Sequence, residues 1–219
     1  FRRVLFRSQQ AAETIKARSC PVMNAVRDEA FATFQRLGFP SKKVERYKYT
    51  DVDAAFAPNY GISLSPLTVK PSPYIFNIKD APIDVAPYYN QVADTADALT
   101  ALNTALVHDA LLIYVPKDMR VEAPIVVDNW LRGSAVTMVN RRVLVILERG
   151  AEATIIINDH AADKQRFLTT QVMEIVCQDN SRLDLYEIEE TTPLCSRFSN
   201  VYLRAGRDCS IKHNSITLF

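Results

Sequence analysis

The chain has 219 residues, of which 48% are apolar and 23% charged. This ordinary globular balance excludes a disordered tail protein, a collagen and a disulfide scaffold. Twenty-six basic side chains against 25 acidic ones give a net charge of +1, without the basic excess of a typical nucleic-acid binder, and no apolar run is long enough to span a bilayer.

Five glycines stand against eleven prolines, so a glycine-rich phosphate loop is not expected. Cys20, Cys177, Cys195 and Cys209 are far apart and form no CxxC pair. That spacing points to free thiols in a reducing compartment, and so to the cytoplasm.

The opening residues Phe1-Arg2-Arg3-Val4-Leu5-Phe6-Arg7-Ser8 are basic and apolar but too short for a signal sequence. They are set aside from the fold reading, and residues 1–19 are taken as a tail of doubtful origin. Residues 20–110 then read as an N-terminal helical and irregular domain. Its first helix is expected over Asn24–Leu37, with Val26, Ala30, Phe31, Phe34 and Leu37 on one face. Gly38 supplies the stop, and Pro40 opposes continuation.

The stretch Ser41–Asp51 is polar and aromatic and holds the cluster Lys42, Lys43, Arg46 and Lys48. A solvated loop or a protein contact accounts for that cluster better than nucleic acid does. Pro58, Pro66, Pro71, Pro73, Pro82 and Pro87 follow. Proline at this density forbids long helices and central strands. A second helix is expected from about Thr95 to His108, capped by Asp94 or Thr95, with Asp97 in its first turn. Leu99, Leu102, Leu106 and Val107 give it an apolar face, and His108 would sit at the negative end of its dipole.

From residue 111 the texture becomes β. Strands are expected at Leu111–Val115, Val121–Val127, Val143–Leu147, Ala153–Ile157, Val172–Val176, Arg182–Ile188, Asn200–Leu203 and Ser210–Ile216. They come in pairs offset by eight residues: Ile113 with Val121, Val145 with Ala153, Ile175 with Leu183, Val201 with Cys209. Between the partners lie polar turns containing Asp118, Gly150, Asn180 and Asp208. A strand–turn–strand unit recurring at about thirty residues is the mark of a solenoid. Each unit buries its apolar face only by stacking on the next.

Residues 111–219 therefore read as a β-helix, with Val121, Ala153, Leu183 and Cys209 stacked inward in adjacent coils. A jelly roll or sandwich is the competing architecture. Cys177, two residues after Ile175, falls on the same strand face and reads as a buried small hydrophobe, as does Cys209. The repeat runs to Phe219 without a capping turn, so the chain is expected to be roughly the first half of a longer protein.

Chemistry-bearing residues are sparse. Cys209 and His213 share a strand face, with Cys195 upstream, but their spacing matches no standard zinc or iron–sulfur arrangement. Asp159, His160 and Asp163 form a polar group after a strand, for which an acid–base role is conceivable but a solvated loop is preferred. Glu187, Glu189 and Glu190 are the nearest approach to a carboxylate-lined groove. Trp130, beside Leu131-Arg132-Gly133, is the single tryptophan and could contact a sugar or a partner, or pack at a strand edge. No GxSxG elbow or GxxxxGK[ST] loop is present. No catalytic, cofactor-binding or metal residue is assigned, and the chain reads as a scaffold or interaction protein rather than an enzyme. A β-helix carbohydrate-active enzyme or sugar-binding module is the alternative.

Several ordered blocks resemble one family. Gly38-Phe39-Pro40-Ser41-Lys42-Lys43-Val44-Glu45-Arg46-Tyr47-Lys48-Tyr49-Thr50-Asp51 is similar to the GFPxxKxExWKYTD signature of the SufB/SufD family, on its SufD side. Residues 98–106 resemble the segment before that family's β-helix. Leu112–Lys117 with Val121–Ile125, and Asn140–Ala153, resemble its first coils. Tyr47 stands where the family often has tryptophan, and the stretch near 77–90 looks shorter than in relatives.

The resemblance implies an N-terminal helical domain followed by a right-handed parallel β-helix. It implies a non-catalytic subunit for iron–sulfur cluster assembly, acting with a SufB-like paralogue and a SufC-like ATPase. The complex would handle the cluster and its ATPase partner would bind ATP. Neither nucleic acid nor membrane is implied as a partner. The family's partner-docking parts and functional histidine correspond to positions after Phe219, so none is carried onto this chain.

Overall fold

The computed structural model describes residues 1–65, 70–132, 136–161 and 165–218. Pro66, Gly133, Asp163 and Phe219, singled out in the sequence, lie outside the described residues. The described helices are α1 (Arg2–Arg18), α2 (Pro21–Ala25), α3 (Arg27–Leu37), α4 (Val52–Phe56) and α5 (Ala98–Leu106). The described strands are β1 (Gly61–Ile62), β2 (Ile75–Asn77), β3 (Leu111–Val115), β4 (Ile125–Leu131), β5 (Thr137–Leu147), β6 (Glu152–Ala161), β7 (Phe167–Cys177), β8 (Arg182–Glu190), β9 (Ser196–Ala205) and β10 (Ser210–Leu218).

From β3 onward, consecutive strands alternate between two sheets. One sheet runs β2-β3-β5-β7-β9, with β1 beside β5, and the other runs β4-β6-β8-β10. Every pairing within the coils is parallel. This is a β-solenoid of about three turns, and parallel pairing dismisses the jelly roll and the sandwich, which are antiparallel. The inward faces of the two sheets meet in one core containing Ile113, Val145, Ile155, Ile157, Met173, Ile175, Leu183 and Leu185.

Each corner is turned by a residue in the left-handed region: Asp118 (φ 57°), Gly150 (71°), Asn180 (60°) and Asp208 (55°). Asp and Asn tolerate that conformation because their short side chains bond locally, so only one of the four left-handed positions is glycine; the last corner also uses Gly206, where a Cβ would lie 2.7 Å from Asp179 N. The corners also bond to one another: Asp118 N–H donates to Arg149 O, Gly150 N–H to Asp179 O and Asn180 N–H to Arg207 O.

Two features of the register differ from expectation. The strand expected at Val121–Val127 begins only at Ile125. Arg120 bridges to Glu152, and Val121 donates to Glu152 O, yet Ile125 pairs with Ile155. Two extra residues are therefore accommodated before Ile125, beside Pro124, which has no N–H to give a ladder.

The inward stack is Val121, Ala153, Leu183 and Ile211, not Cys209. Leu168 lies thirty residues after its partner Met138, but Ser196 only twenty-eight after Leu168. The last coil is thus two residues shorter. Cys209 slides one strand period to the level of Ser181, whose Oγ lies 3.5 Å from its Sγ, and keeps its inward parity against the core.

The helical front covers the outer face of the β3-β5-β7 part of the larger sheet. The helix expected at Asn24–Leu37 is broken at Val26 into α2 and α3, and Gly38 (φ 68°) ends α3 with its N–H on Phe34 O at 2.9 Å. α1 occupies most of the stretch set aside as a tail, and its Ile15 is fully buried with Phe34 and Leu102. Asp97, not Asp94 or Thr95, caps α5, accepting from Thr100 N–H at 2.8 Å.

α5 is buried along its whole length. One side faces α3 and the other lies on β5 and β7, so its polar residues are buried as well. His108 lies past the end of α5, where its Nε2 bonds to Ser65 O at 3.0 Å. Burial lowers its pKa, so the ring is neutral rather than a cation on the helix dipole. No described helix is long and apolar enough to cross a membrane.

Ile125 and Val126 are neighbours on opposite faces of β4, 4% and 39% exposed. Ile125→Ala should cost about 2–5 kcal/mol, and Val126→Ala no more than about 0.5 kcal/mol. Urea unfolding of both variants checks this; equal losses would contradict the two-sheet packing.

Candidate functional site

Three residues that the sequence placed in separate motifs fall in one network: Asp159 and Glu187 are buried inside the solenoid, and His213 reaches Glu187 from the exposed side. In β6 the inward residues run Ile155, Ile157, Asp159, and in β8 Leu183, Leu185, Glu187. Their parity carries both carboxylates into the space between the sheets. From the facing sheet come Arg141, Gln171, Arg197 and Ser199. Arg141 is bonded to Asp159, whose Oδ1 also accepts from Asn129 Nδ2 at 2.9 Å. Arg197 spans both acids, with Nε 3.1 Å from Asp159 Oδ2 and Nη2 on Glu187. Gln171 Nε2 donates to Glu187 Oε1 at 2.7 Å, and His213 Nε2 lies 2.8 Å from Glu187 Oε2.

The two guanidinium groups balance the two carboxylates. Burial opposes ionisation of Asp159, but Arg141 and Arg197 together outweigh it and hold its pKa below the ordinary carboxylate range. For Arg197, burial favours loss of charge, but Glu187 and Asp159 prevail and raise its pKa. Asp159 is therefore held as an anion, while Glu187 is tied by geometry to Arg197, Gln171 and His213. Both carboxyl groups are spent on neighbours inside the chain, and the arrangement fits ordering of the interior.

The other candidates separate. Glu189 accepts from Thr191 Oγ1 at 3.1 Å. Glu190 faces outward, with Oε2 3.0 Å from His160 Nδ1. The three glutamates therefore do not line one groove. Trp130 is 52% exposed and stacks on His160 (4.5 Å between centroids, 21°), with the Arg132 guanidinium 5.2 Å from its ring. Its indole is thus packed on the sheet surface between neighbours. Cys209, just before β10, and His213 within it share one parity but stand about 13 Å apart along the chain. Cys195 lies in the β8–β9 connection, where its N–H donates to Thr192 O. Among the described residues no group of three His, Cys, Asp or Glu is placed to hold a metal.

The basic cluster of residues 42–48 is largely spent within the chain. Arg46 Nη1 bonds Tyr202 Oη at 3.0 Å and lies 3.7 Å from Asp97. Lys42 pairs with Asp51 at 3.4 Å. Tyr47 is buried and donates to Asp97 Oδ2 at 2.8 Å. Burial, with Asp97 beside it, pushes the Tyr47 hydroxyl up, so it remains a donor. Lys48 (with its ammonium 5.5 Å from the Tyr49 ring) and the almost fully exposed Tyr49 face solvent.

Sequence reasoning missed Arg141, Gln171 and Arg197. The signal was available: each lies on the inward parity of its strand, an even number of residues from Val143, Met173 and Val201.

Replacing Arg197 by Met leaves Glu187 and Asp159 short of a cation and should destabilise by about 3–5 kcal/mol at pH 7. The depressed Asp159 pKa makes its contribution full above about pH 4, the unfolded value, and progressively lost as pH falls through the folded one. The urea midpoint gap between the parent and Asp159→Asn should therefore narrow between pH 6 and pH 3. A gap that widens on acidification would refute the assignment. Burial also pushes the Cys177 thiol up to about 11, so a thiol reagent at pH 8 should label Cys20, Cys195 and Cys209 well before Cys177. Equal labelling rates in the native protein would contradict its burial.

Comparison with known families places this architecture. Residues 4–79 and 76–127 match the model of the SufBD protein N-terminal region. Residues 130–219 match the SUF system FeS cluster assembly, SufBD core domain. No curated protein matched the chain. The N-terminal match ends and the core match begins within the first coil of the solenoid, so both regions are present in order. The chain belongs to the SufB/SufD family of the SUF iron–sulfur cluster assembly system.

Proposed function

We propose that this chain is a non-catalytic scaffold subunit of a SUF iron–sulfur cluster assembly complex. In this reading it works in the cytoplasm beside a SufB-like paralogue and a SufC-like ATPase. The iron–sulfur cluster is cargo of the complex, and ATP is bound by the ATPase partner. The observation that carries the reading is the ordered match to both SufBD regions over a helical front and a β-solenoid.

The interior chemistry supports a scaffold over a hydrolase. A glycosidase needs two carboxyl groups flanking a substrate, one of them with a raised pKa. Here Asp159 and Glu187 are tied to Arg141 and Arg197, and Glu190 points the other way. The SufD side of the family is favoured by the Lys48-Tyr49-Thr50 block. Tyr49 is 91% exposed, while its neighbour Tyr47 anchors the segment to Asp97. This leaves a fixed aromatic and basic turn free to meet another protein.

The test is co-expression of the full protein with a SufB-like and a SufC-like partner. The three should elute as one complex, and cluster transfer to an apo acceptor should fall when this subunit is omitted. A protein that stays monomeric beside both partners, with cluster transfer unchanged by its omission, would overturn the proposal.

A further inference from the structure

The corners of the solenoid and the segment before α5 border an open groove of about 450 Å³ on the outer side of β7 and β9. Its wall residues are Tyr88, Arg149, Val176, Gln178, Asp179 and Arg204. They come from the front segment and from three successive coils, so the groove exists only because the coils stack in this register.

The lining is rich in donors. Neither the Arg149 nor the Arg204 guanidinium forms a hydrogen bond or ion pair among the described residues, although Arg149 is near enough to Asp179 to help lower its pKa. Both are presented to the groove with their fork of N–H groups unspent. The one carboxylate, Asp179, is already engaged: Oδ1 accepts the Arg207 N–H at 2.8 Å and Oδ2 lies 3.4 Å from Arg207 Nη2. Gln178 spends its carbonyl on the Arg149 N–H at 3.2 Å, which leaves its amide nitrogen as a donor. The half-buried ring of Tyr88 supplies the apolar wall, and Val176, itself only 4% exposed, lies at the floor.

The Tyr88 wall is preorganised. The buried Glu174 carboxylate accepts the N–H groups of Asn90, Val92 and Ala93 at 2.8–3.0 Å, and Tyr88 N–H is bonded to Val85 O. A rigid wall lowers the ordering cost of binding. A volume of this size is far larger than a bare inorganic ion needs and lies in the range of small-molecule sites.

We propose that this groove binds a small organic anion bearing a phosphate or a pair of carboxylates, clamped by Arg149 and Arg204 with its carbon skeleton against Tyr88 and Val176. Planar guanidinium forks match both headgroups in bidentate fashion. The proposal stands apart from the cluster-assembly reading, since nothing in it depends on a partner subunit.

The test uses the full protein with phenyl phosphate and citrate as probes, at ionic strength held constant with NaCl. Titration calorimetry should give saturable binding of at least one probe. Arg149→Gln and Arg204→Gln should each weaken it roughly tenfold, and the double variant should abolish it. Arg182→Gln, at an exposed arginine outside the groove, should bind as the parent does. Circular dichroism and unfolding midpoints confirm that the variants fold. Absence of binding, a double variant that binds like the parent, or an equal loss in Arg182→Gln would overturn the proposal. Binding of a Glu-rich peptide with neither small anion bound would also overturn it, and would make the groove a protein contact.

Discussion

The structure depends on one constraint: the β3-β5-β7 part of the larger sheet is covered on both faces. A parallel sheet of this kind has no solvent side on which to leave polar groups, yet β5 and β7 carry Asn140, Arg142, Thr170 and Glu174 outward, under the helical front. Arg142 and Glu174 have fully buried side chains and meet at 2.5 Å. An isolated charge there would cost several kcal/mol. Their neighbours meet that cost. Arg142 also donates to Thr104 Oγ1 and Asn90 Oδ1, and lies 4.8 Å from the centre of the Tyr89 ring. Glu174 takes up three backbone N–H groups of the segment before α5. The pair therefore fixes where the front sits on the solenoid more than it adds to overall stability.

The same logic runs through the rest of the junction. Arg27 is buried in α3 and donates to Ala105 O and Val107 O at 2.8 Å, so a guanidinium meets carbonyls left open at the end of α5. Asn103 donates to Arg141 O and Thr170 O. Thr100 meets Tyr202, and Asn200 reaches Asp97. Thr100, Asn103 and Thr104 of α5 are thereby each tied to a particular rung. A slip of the front by one residue along the sheet would orphan several of these groups at once, which is the penalty that makes a polar junction specific.

The solenoid was legible in the sequence because its signals are local and repeated. The eight-residue offset sets a corner, and alternation within each strand sets the inward face. Cys209 shows the limit of that reading. Its parity is right, but parity repeats every two residues, and only the shortening of the last coil decides between it and Ile211. The front was less legible. Arg142 and Glu174 lie on the outward parity, where charge normally means solvent, and nothing local reveals that a helix will cover them. Residues 1–8 look foreign in composition and 1–19 read as a tail, yet Ile15 lies fully buried beside Phe34. Burial of that kind is a property of the partner surface, not of the segment.

The interior network follows from the same stacking at the other end of the strands. Midway along, Ile155, Ile175 and Leu185 fill the lumen. Beyond Ile157 and Leu185 the inward positions become Asp159 and Glu187, opposite Arg141 and Arg197 on the other sheet. A solenoid cannot change the residues of one rung independently, because each side chain rests on the equivalents in the coils on either side. Once Asp159 is charged, Asn129 below it and the arginines across from it are constrained to answer it. The polar end of the lumen is therefore cooperative across β4 to β9, with His213 of β10 meeting Glu187 at its more exposed side. A family whose members stack coils in this way can keep one fold while varying what the lumen and the corners present. The coils set positions, and the chemistry is carried by whatever the positions hold.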